Sequence, residues 1–444
     1  MLCVPAAGLN AFLAVSGARR TEEVTVPMDE TPASYGDTGG AAAWPAAGPS
    51  RVPAWIFSDP ALFQRERTAI FRGPSWNYIA LACEVPEPGD FKRSWVADMP
   101  VIAARDADGG VNVFVNRCAH RGVEFCRTVR GNATEFMCPY HQWTYNLKGD
   151  LTAVPFRKGF RRQGGMPADF RLEDHALEKL RVTERNGAIF ATFDAATEPF
   201  EDYLGDAMLR YFDRVFDGRA LRVLGYMRQV VPANWKLYFD NQKDPYHATL
   251  LHYFLISFGL FRASEPSFVR MDAQGRHSAL ISQKGEQGVI AGGDEMKHND
   301  PRLKLAGPQM LQPVREFKGA DTVVIQTIWP GLIVQQQSNT LAMRHVIPRG
   351  PGAYELAWTF FGYADDDAAM TERRLMQANL MGPAGYVSVD DSEVVAFAQD
   401  GLAPYDASVG VVEMDGREVN EADTLVAEGA VRGFYAHYRR VMGL

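Results

Sequence analysis

The feature that most constrains this chain is a pair of short metal-ligand spacings. Cys118-Ala119-His120 is followed, after residues 121–137, by Cys138-Pro139-Tyr140-His141. Each segment offers one thiol and one imidazole. Two thiolates and two imidazoles on two loops can grip a tetrahedral zinc or a two-iron, two-sulfur cluster. Structural zinc sites favour Cys-x₂₋₄-Cys and His-x₃₋₅-His pairs, and this arrangement is neither. In a mixed-ligand cluster both cysteines hold one iron and both histidines the other, so each loop spans the cluster. Neutral imidazoles in place of two thiolates make such a cluster less negative and raise its potential to about −150 to +300 mV.

The chain around this motif is ordinary for a globular protein. Of 444 residues, 46% are hydrophobic and 23% charged, which excludes collagen-like, coiled-coil and disordered classes. At roughly 100–200 residues per domain the length allows two or three. Lys plus Arg number 46 against 54 Asp plus Glu, giving −8; no basic run occurs, so no nucleic-acid partner is expected. The five cysteines, odd and sparse, argue against a disulfide scaffold and for a reducing, cytoplasmic compartment. Cys83 and Cys126 lack ligand spacing and read as small buried thiols. No run of about eighteen apolar residues occurs, so no membrane span is expected. Residues 2–15 are apolar, but no positive segment precedes them and Pro5 and Asn10 interrupt them. They are not read as a signal peptide; the blander reading is a start near Met28, with the first residues a start-site artefact or a floppy arm.

Residues 1–51 are expected to form a disordered leader, with folded chain from about Val52. Residues 52–170 hold a small all-β module. In it, 101–105 and 111–115 flank a hairpin turn, Asp106-Ala107-Asp108-Gly109-Gly110, and 134–138 and 143–146 continue the pattern. Residues 155–170, rich in Gly, Pro and charge, read as a linker. Residues 171–444 mix elements: strands at 180–182, 188–193, 323–337 (broken at Pro330-Gly331) and 354–363, helices at 203–216, 371–379 and 424–442, and a helix at 235–254 carrying Pro245. The expected fold class is α+β, a small all-β domain plus a larger domain of antiparallel sheet with helices.

A second constellation lies on that Pro245 segment. Asp244, His247 and His252 crowd one stretch, and two imidazoles with one carboxylate form a facial triad that leaves positions on Fe(II) open. On a regular helix His247 and His252 would sit about 140° apart. Pro245, which lacks an N–H, gives the helix a reason to distort and bring both inward.

Together the two segments resemble the Rieske non-haem iron aromatic ring-hydroxylating oxygenases, large (alpha) subunit. Cys118-Ala119-His120-Arg121-Gly122 and Cys138-Pro139-Tyr140-His141-Gln142-Trp143 resemble the Rieske [2Fe-2S] motif, although most members carry Gly where this chain has Gln142. Asp-x₂-His-x₄-His resembles the mononuclear-iron motif. The resemblance implies a third ligand far downstream: in Gly382-Pro383-Ala384-Gly385-Tyr386-Val387-Ser388-Val389-Asp390-Asp391 the matching residue is Asp391, with Asp390 as fallback and Glu393 weaker. It also implies that Asp244 is not a ligand but the catalytic bridge from His247 to the cluster histidine His141 of a neighbouring subunit. The active unit is then an oligomer, a trimer with or without a small beta subunit.

The activity implied is hydroxylation of an aromatic ring with O₂ and electrons from NAD(P)H. No Gly-x-Gly-x-x-Gly fingerprint follows a strand and no plant-type ferredoxin cysteine run occurs, so a separate reductase, with or without a ferredoxin, is expected to supply the electrons. Cys138–Trp143, Asn234-Trp235-Lys236-Leu237 and Arg374-Leu375-Met376-Gln377-Ala378-Asn379-Leu380 resemble the branches that take benzoates: salicylate hydroxylases, then terephthalate and anthranilate dioxygenases. A ring carboxylate in an apolar pocket calls for a guanidinium fork, and Arg432 and Arg344 are the candidates. Gln336 and Gln337 read as structural sheet residues. The contrasting class is a Rieske electron carrier without chemistry of its own, which would need only the β module. Mono- and dihydroxylation share the same ligands.

Overall fold

The hairpin at residues 106–110 shows how locally this chain folds. Asp106 Oδ1 accepts the N–H groups of Asp108 and Gly110, each at 2.9 Å, and Gly109 takes φ +84°, a region open to glycine and costly for other residues. The flanking strands Met99–Arg105 and Val111–Val115 pair antiparallel. The computed structural model describes residues 43–161, 163–257, 265–283, 302, 307, 313–405 and 407–444.

That hairpin sits inside a seven-stranded sheet ordered Asn77–Leu81, Ala188–Thr192, Lys179–Arg185, Val111–Val115, Met99–Arg105, Asp90–Val96, Arg130–Asn132. A three-stranded sheet (Phe136–Met137, Thr144–Tyr145, Leu151–Ala153) lies beside it. A core of Phe91, Phe114, Phe125, Phe136, Trp143 and Tyr145 surrounds the thiols of Cys118 and Cys138. The boundary expected at 170/171 is corrected. Residues 179–192, read as part of the second domain, belong to the first sheet because Lys179 and Leu180 pair with Phe114 and Val113.

The second domain is built on a seven-stranded antiparallel sheet. Its order is Leu221–Val231, Ala353–Tyr363, Thr340–Gly350, Leu332–Gln337, Val323–Ile328, Ser278–Ser282, Ser267–Met271. Residues 340–348 are buried along their whole run, as expected for a strand covered on both faces. The helices Trp235–Asn241 and Ala368–Met381 pack on that strand, and Phe200–Val215 packs on Val323–Ile328. The Pro330-Gly331 turn falls where the sequence places it.

Three further expectations change. Trp44, assigned to the leader, is buried; its indole N–H donates to Gly48 O at 2.8 Å and its ring lies 5.9 Å from that of Tyr435. The helix expected over 235–254 ends at Asn241. Pro245 then opens a single 3₁₀ turn, Tyr246–Thr249, before the helix Tyr253–Ser257. Cys126 is buried as read, whereas Cys83 is only partly so. Among the described residues no helix is long and apolar enough to cross a membrane.

Candidate active site

The two thiol–imidazole loops are built alike. In the first, Cys118 N donates to Val123 O and Gly122 N to Cys118 O; in the second, Cys138 N donates to Trp143 O and Gln142 N to Cys138 O, all at 2.8–2.9 Å. Gly122 and Gln142 occupy equivalent places, with φ of +73° and +57°. That shared left-handed geometry is a physical reason for glycine at position 142, and Gln142 adopts it at a cost of about 1–2 kcal/mol. The loops bring His120 and His141 to a ring separation of 4.6 Å, with His120 stacked on Trp143 at 4.7 Å. Both thiols are buried, and Tyr145 OH lies 3.3 Å from Cys118 Sγ.

Two observations test whether a cluster suits this cradle. His120 Nδ1 is a buried nitrogen without a hydrogen-bond partner, which costs about 1–3 kcal/mol unless something such as a metal satisfies it. Burial first, then the neighbouring His141 and Arg121, lowers the His120 pKa and keeps the ring neutral, the form that ligates metal. The donor set and the orphan nitrogen fit a two-cysteine, two-histidine cluster.

The second centre forms where the chain breaks at Pro245. His247 lies in the 3₁₀ turn and His252 just before the next helix, and Asp391 comes from the helix Tyr386–Leu402. His247 Nε2 and His252 Nε2 each lie 3.4 Å from Asp391 Oδ1. One ligand atom from each of the three residues falls within 4.8 Å of the others, close enough to hold one metal ion. The outer nitrogens are also occupied: His247 Nδ1 lies 3.1 Å from Asp244 Oδ2, and His252 Nδ1 3.4 Å from Asp390 Oδ2. Such outer carboxylates fix ring orientation and tautomer in metal sites. Asp390 therefore stands outside the triad, and Glu393 is exposed. Burial opposes charge on His247, but Asp244 and Asp391 outweigh it and hold its pKa at about 10. Burial pushes the Asp391 carboxyl up, yet His247 and His252 bring it below its usual value. The pocket favours positive charge, which a divalent cation would supply.

Comparison with known proteins agrees with both centres. Residues 75–166 match the Rieske [2Fe-2S] domain, and residues 214–444 match the ring hydroxylating alpha subunit (catalytic domain). The chain belongs to the Rieske ring-hydroxylating oxygenases. It is 49% identical to the large oxygenase component of salicylate 5-hydroxylase from Ralstonia sp., covering 90% of this chain and 96% of that one. It is 42% identical to the large subunit of anthranilate 1,2-dioxygenase from Burkholderia cepacia, covering 89% and 94%. Among solved structures, naphthalene 1,2-dioxygenase from Rhodococcus sp. bound to indole superposes with a TM-score of 0.74 at 25% identity, covering 88% of this chain and 94% of that one. This oxygenase is thus an oxidoreductase that works with a Rieske cluster and a mononuclear iron. A bare electron carrier, with no catalytic domain, is excluded.

A cavity of about 130 Å³ opens on the triad of this oxygenase, with apolar walls from Leu255, Leu280, Val323, Ile325, Met381 and Val387. Arg344 reaches it from the strand Thr340–Gly350. It is 3% exposed, its guanidinium carbon lies 4.5 Å from the Trp358 ring centroid, and it donates to Gln335 Oε1 and Gln242 Oε1, each at 2.6 Å, and to Tyr238 OH at 3.2 Å. Arg432 is corrected: it does not line the cavity. From the C-terminal helix its guanidinium donates to the carbonyls of Glu418, Val412, Met414 and Asp415 and to Asn420 Oδ1, pinning the loop over 412–420. Gln336 is structural as read, its amide bonded to the Thr322 and Ser338 carbonyls, whereas Gln337 lines the cavity. Sequence reasoning missed Asn241 and Gln242, whose amides donate to Asp391 Oδ1 and Oδ2 at 3.3 and 3.4 Å. Amides carry no spacing signature, and only their place inside the Asp240–His252 stretch hinted at them.

Proposed function

We propose that this chain is a terminal oxygenase subunit that hydroxylates a salicylate-like benzoate, with O₂ and electrons from NAD(P)H delivered through a separate reductase, with or without a ferredoxin. The observation that carries the substrate class is Arg344, a buried guanidinium facing an apolar cavity beside the His247, His252 and Asp391 triad. An apolar pocket with one fixed fork suits a flat ring bearing one carboxylate. The similarity to the salicylate 5-hydroxylase component supports the same class.

In this reading Cys118, Cys138, His120 and His141 hold the cluster, and His247, His252 and Asp391 hold the mononuclear iron. Bound there, the cluster supplies single electrons and the iron supplies the dioxygen chemistry that adds hydroxyl to the ring. Arg344 anchors the carboxylate and the apolar wall excludes water from the ring. Asp244 keeps His247 oriented and bridges it to the partner subunit's His141, which makes the working unit an oligomer, a trimer with or without a small beta subunit. Carboxylates between metal-bound imidazoles accept a hydrogen bond from each ring, fix both tautomers and offer a short path for an electron.

The same residues would serve cis-dihydroxylation, and the similarity to anthranilate 1,2-dioxygenase carries that second reading. Product analysis with a panel of benzoates, a generic reductase and NADH tests both. A singly hydroxylated salicylate is expected. A cis-diol would transfer the assignment to the second reading, and turnover confined to rings without a carboxylate would overturn the substrate class.

A further inference from the structure

We propose that Gln242 is a positioning residue that links Arg344 to Asp391, so that a carboxylate arriving at Arg344 is felt at the metal-holding carboxylate. The inference rests on the reading of Arg344 as the benzoate anchor and asks what that anchor does besides hold. Gln242 is 8% exposed and lines the cavity. Its Oε1 accepts from Arg344 Nη1 at 2.6 Å, while its Nε2 donates to Asn241 Oδ1 at 2.7 Å and to Asp391 Oδ2 at 3.4 Å. A guanidinium has donors only. The Gln242 oxygen must therefore face Arg344, and this turns the amide nitrogen toward Asp391.

Each oxygen of Asp391 thus carries one amide donor. Oδ1 faces both imidazole Nε2 atoms and accepts from Asn241 Nδ2 at 3.3 Å, while Oδ2 faces Gln242. Arg344 is constrained at its other edge too. Its Nε is held by Gln335 Oε1, and Gln335 Nε2 in turn donates to Gln337 Oε1 at 2.8 Å. Among the described residues Arg344 Nη2 has no hydrogen-bond partner, so a carboxylate seeking a two-pronged contact meets Nη2 and Nη1 together. A carboxylate is a stronger acceptor for a guanidinium than a neutral amide oxygen. It competes with Gln242 for Nη1, releases the amide, and so alters the hydrogen bond on Asp391 Oδ2. A ring without a carboxylate would fill the cavity and leave this chain of contacts unchanged.

The test uses the oxygenase with its cluster intact and Co(II) in place of the mononuclear iron, so that the ligand-field spectrum reports the triad without turnover. In the wild type, saturating salicylate is expected to shift that spectrum and phenol is not. In Gln242→Leu, salicylate still binds, within about tenfold of wild type because Arg344 remains, but the Co(II) spectrum no longer responds. Gln242→Glu, whose carboxylate would occupy the guanidinium, is expected to weaken salicylate binding more than tenfold. A Gln242→Leu spectrum that responds to salicylate as the wild type does, or a wild-type spectrum that shifts equally with phenol, overturns the link while leaving the anchor intact. Salicylate binding that is unaffected by Arg344→Leu overturns the anchor itself. The phenol comparison requires no variant and stands even where a substitution impairs folding.

Discussion

Asp244 Oδ2 lies 3.1 Å from His247 Nδ1, on the ring edge opposite the one that faces Asp391. The side chain is held in place by its other oxygen, which accepts the Tyr246 N–H at 2.8 Å. Asp244 is thus aimed by the local turn rather than by the triad. Asp244→Ala is expected to leave the visible spectrum of the cluster unchanged and to lower product formation by at least about 10–100-fold, the usual effect of losing a carboxylate behind a metal-bound imidazole. Normal turnover in that variant would falsify the bridge.

Arg344 and Arg432 separate binding from stability. Arg344→Leu is expected to abolish saturation by benzoates while the fold persists, because its three partners, Gln335, Gln242 and Tyr238, can satisfy one another or water. Arg432→Leu is expected to lower the Tm, with little effect on KM, since it strips a cation from at least four carbonyls of one loop. Thermal melts and benzoate titrations on the two variants distinguish the roles; the reverse pattern would return Arg432 to the substrate site.

These two arginines also mark where sequence stops being sufficient. The two Cys–His segments and the paired histidines are legible because their spacing is local and their chemistry specific. Asp391 required a resemblance, since a carboxylate so distant along the chain has no spacing rule linking it to His247. Both arginines sit on apolar elements and both end up buried, so nothing local tells them apart; partners brought together by the tertiary fold do. The same holds for strands 179–192, whose sheet is chosen by pairing with Val113 and Phe114, and for Trp44, whose burial depends on Tyr435 and Tyr438 at the far end of the chain.

Metal content is the next check. One two-iron cluster and one mononuclear site require about three irons and two acid-labile sulfides per chain. Cluster loading should also release protons, because burial, joined by the neighbouring Cys118, raises the Cys138 thiol above its ordinary value, and thiols must ionise to bind metal. Reconstitution is therefore expected to improve as pH rises. Zinc in the purified protein, or two irons in a fully loaded sample, would contradict the two-site assignment.

Asp240 gives a pH dependence with an unusual sign. Burial chiefly, with Asp244 and Glu428 adding to it against a hydrogen bond from Tyr435, raises its carboxyl from 3.8 to about 7. Between those values the folded protein holds a proton that the unfolded chain has lost, so this group costs stability as pH rises toward 7. Asp240→Asn keeps an acceptor for Tyr435 and cannot titrate. Relative to the wild type it is expected to gain stability from about pH 4 to 7, by up to a few kcal/mol. Denaturant titrations at the two ends of that range measure the difference, and a constant offset would show that Asp240 is ionised in the folded state.

The segment carrying Asp240, Gln242, Asp244 and His247 begins at a buried ion pair, and its stability is open to the same approach. Glu66 is fully buried; its Oε1 accepts from Lys236 Nζ at 2.7 Å and Tyr438 OH at 2.6 Å, and its Oε2 accepts the Trp235 indole N–H at 2.9 Å. One carboxylate thereby joins the helices Pro60–Glu66, Trp235–Asn241 and Gly429–Met442. Burial already lowers the Lys236 pKa, with Glu66 the main group opposing it. Glu66→Gln keeps the shape but leaves the ammonium without its counter-charge, and is expected to cost about 3–5 kcal/mol in chemical denaturation. Adding Lys236→Met removes the stranded cation, so the double variant is expected to recover part of that loss. Equal losses in the single and double variants would mean that Glu66 acts through Trp235 and Tyr438 and that its charge is incidental.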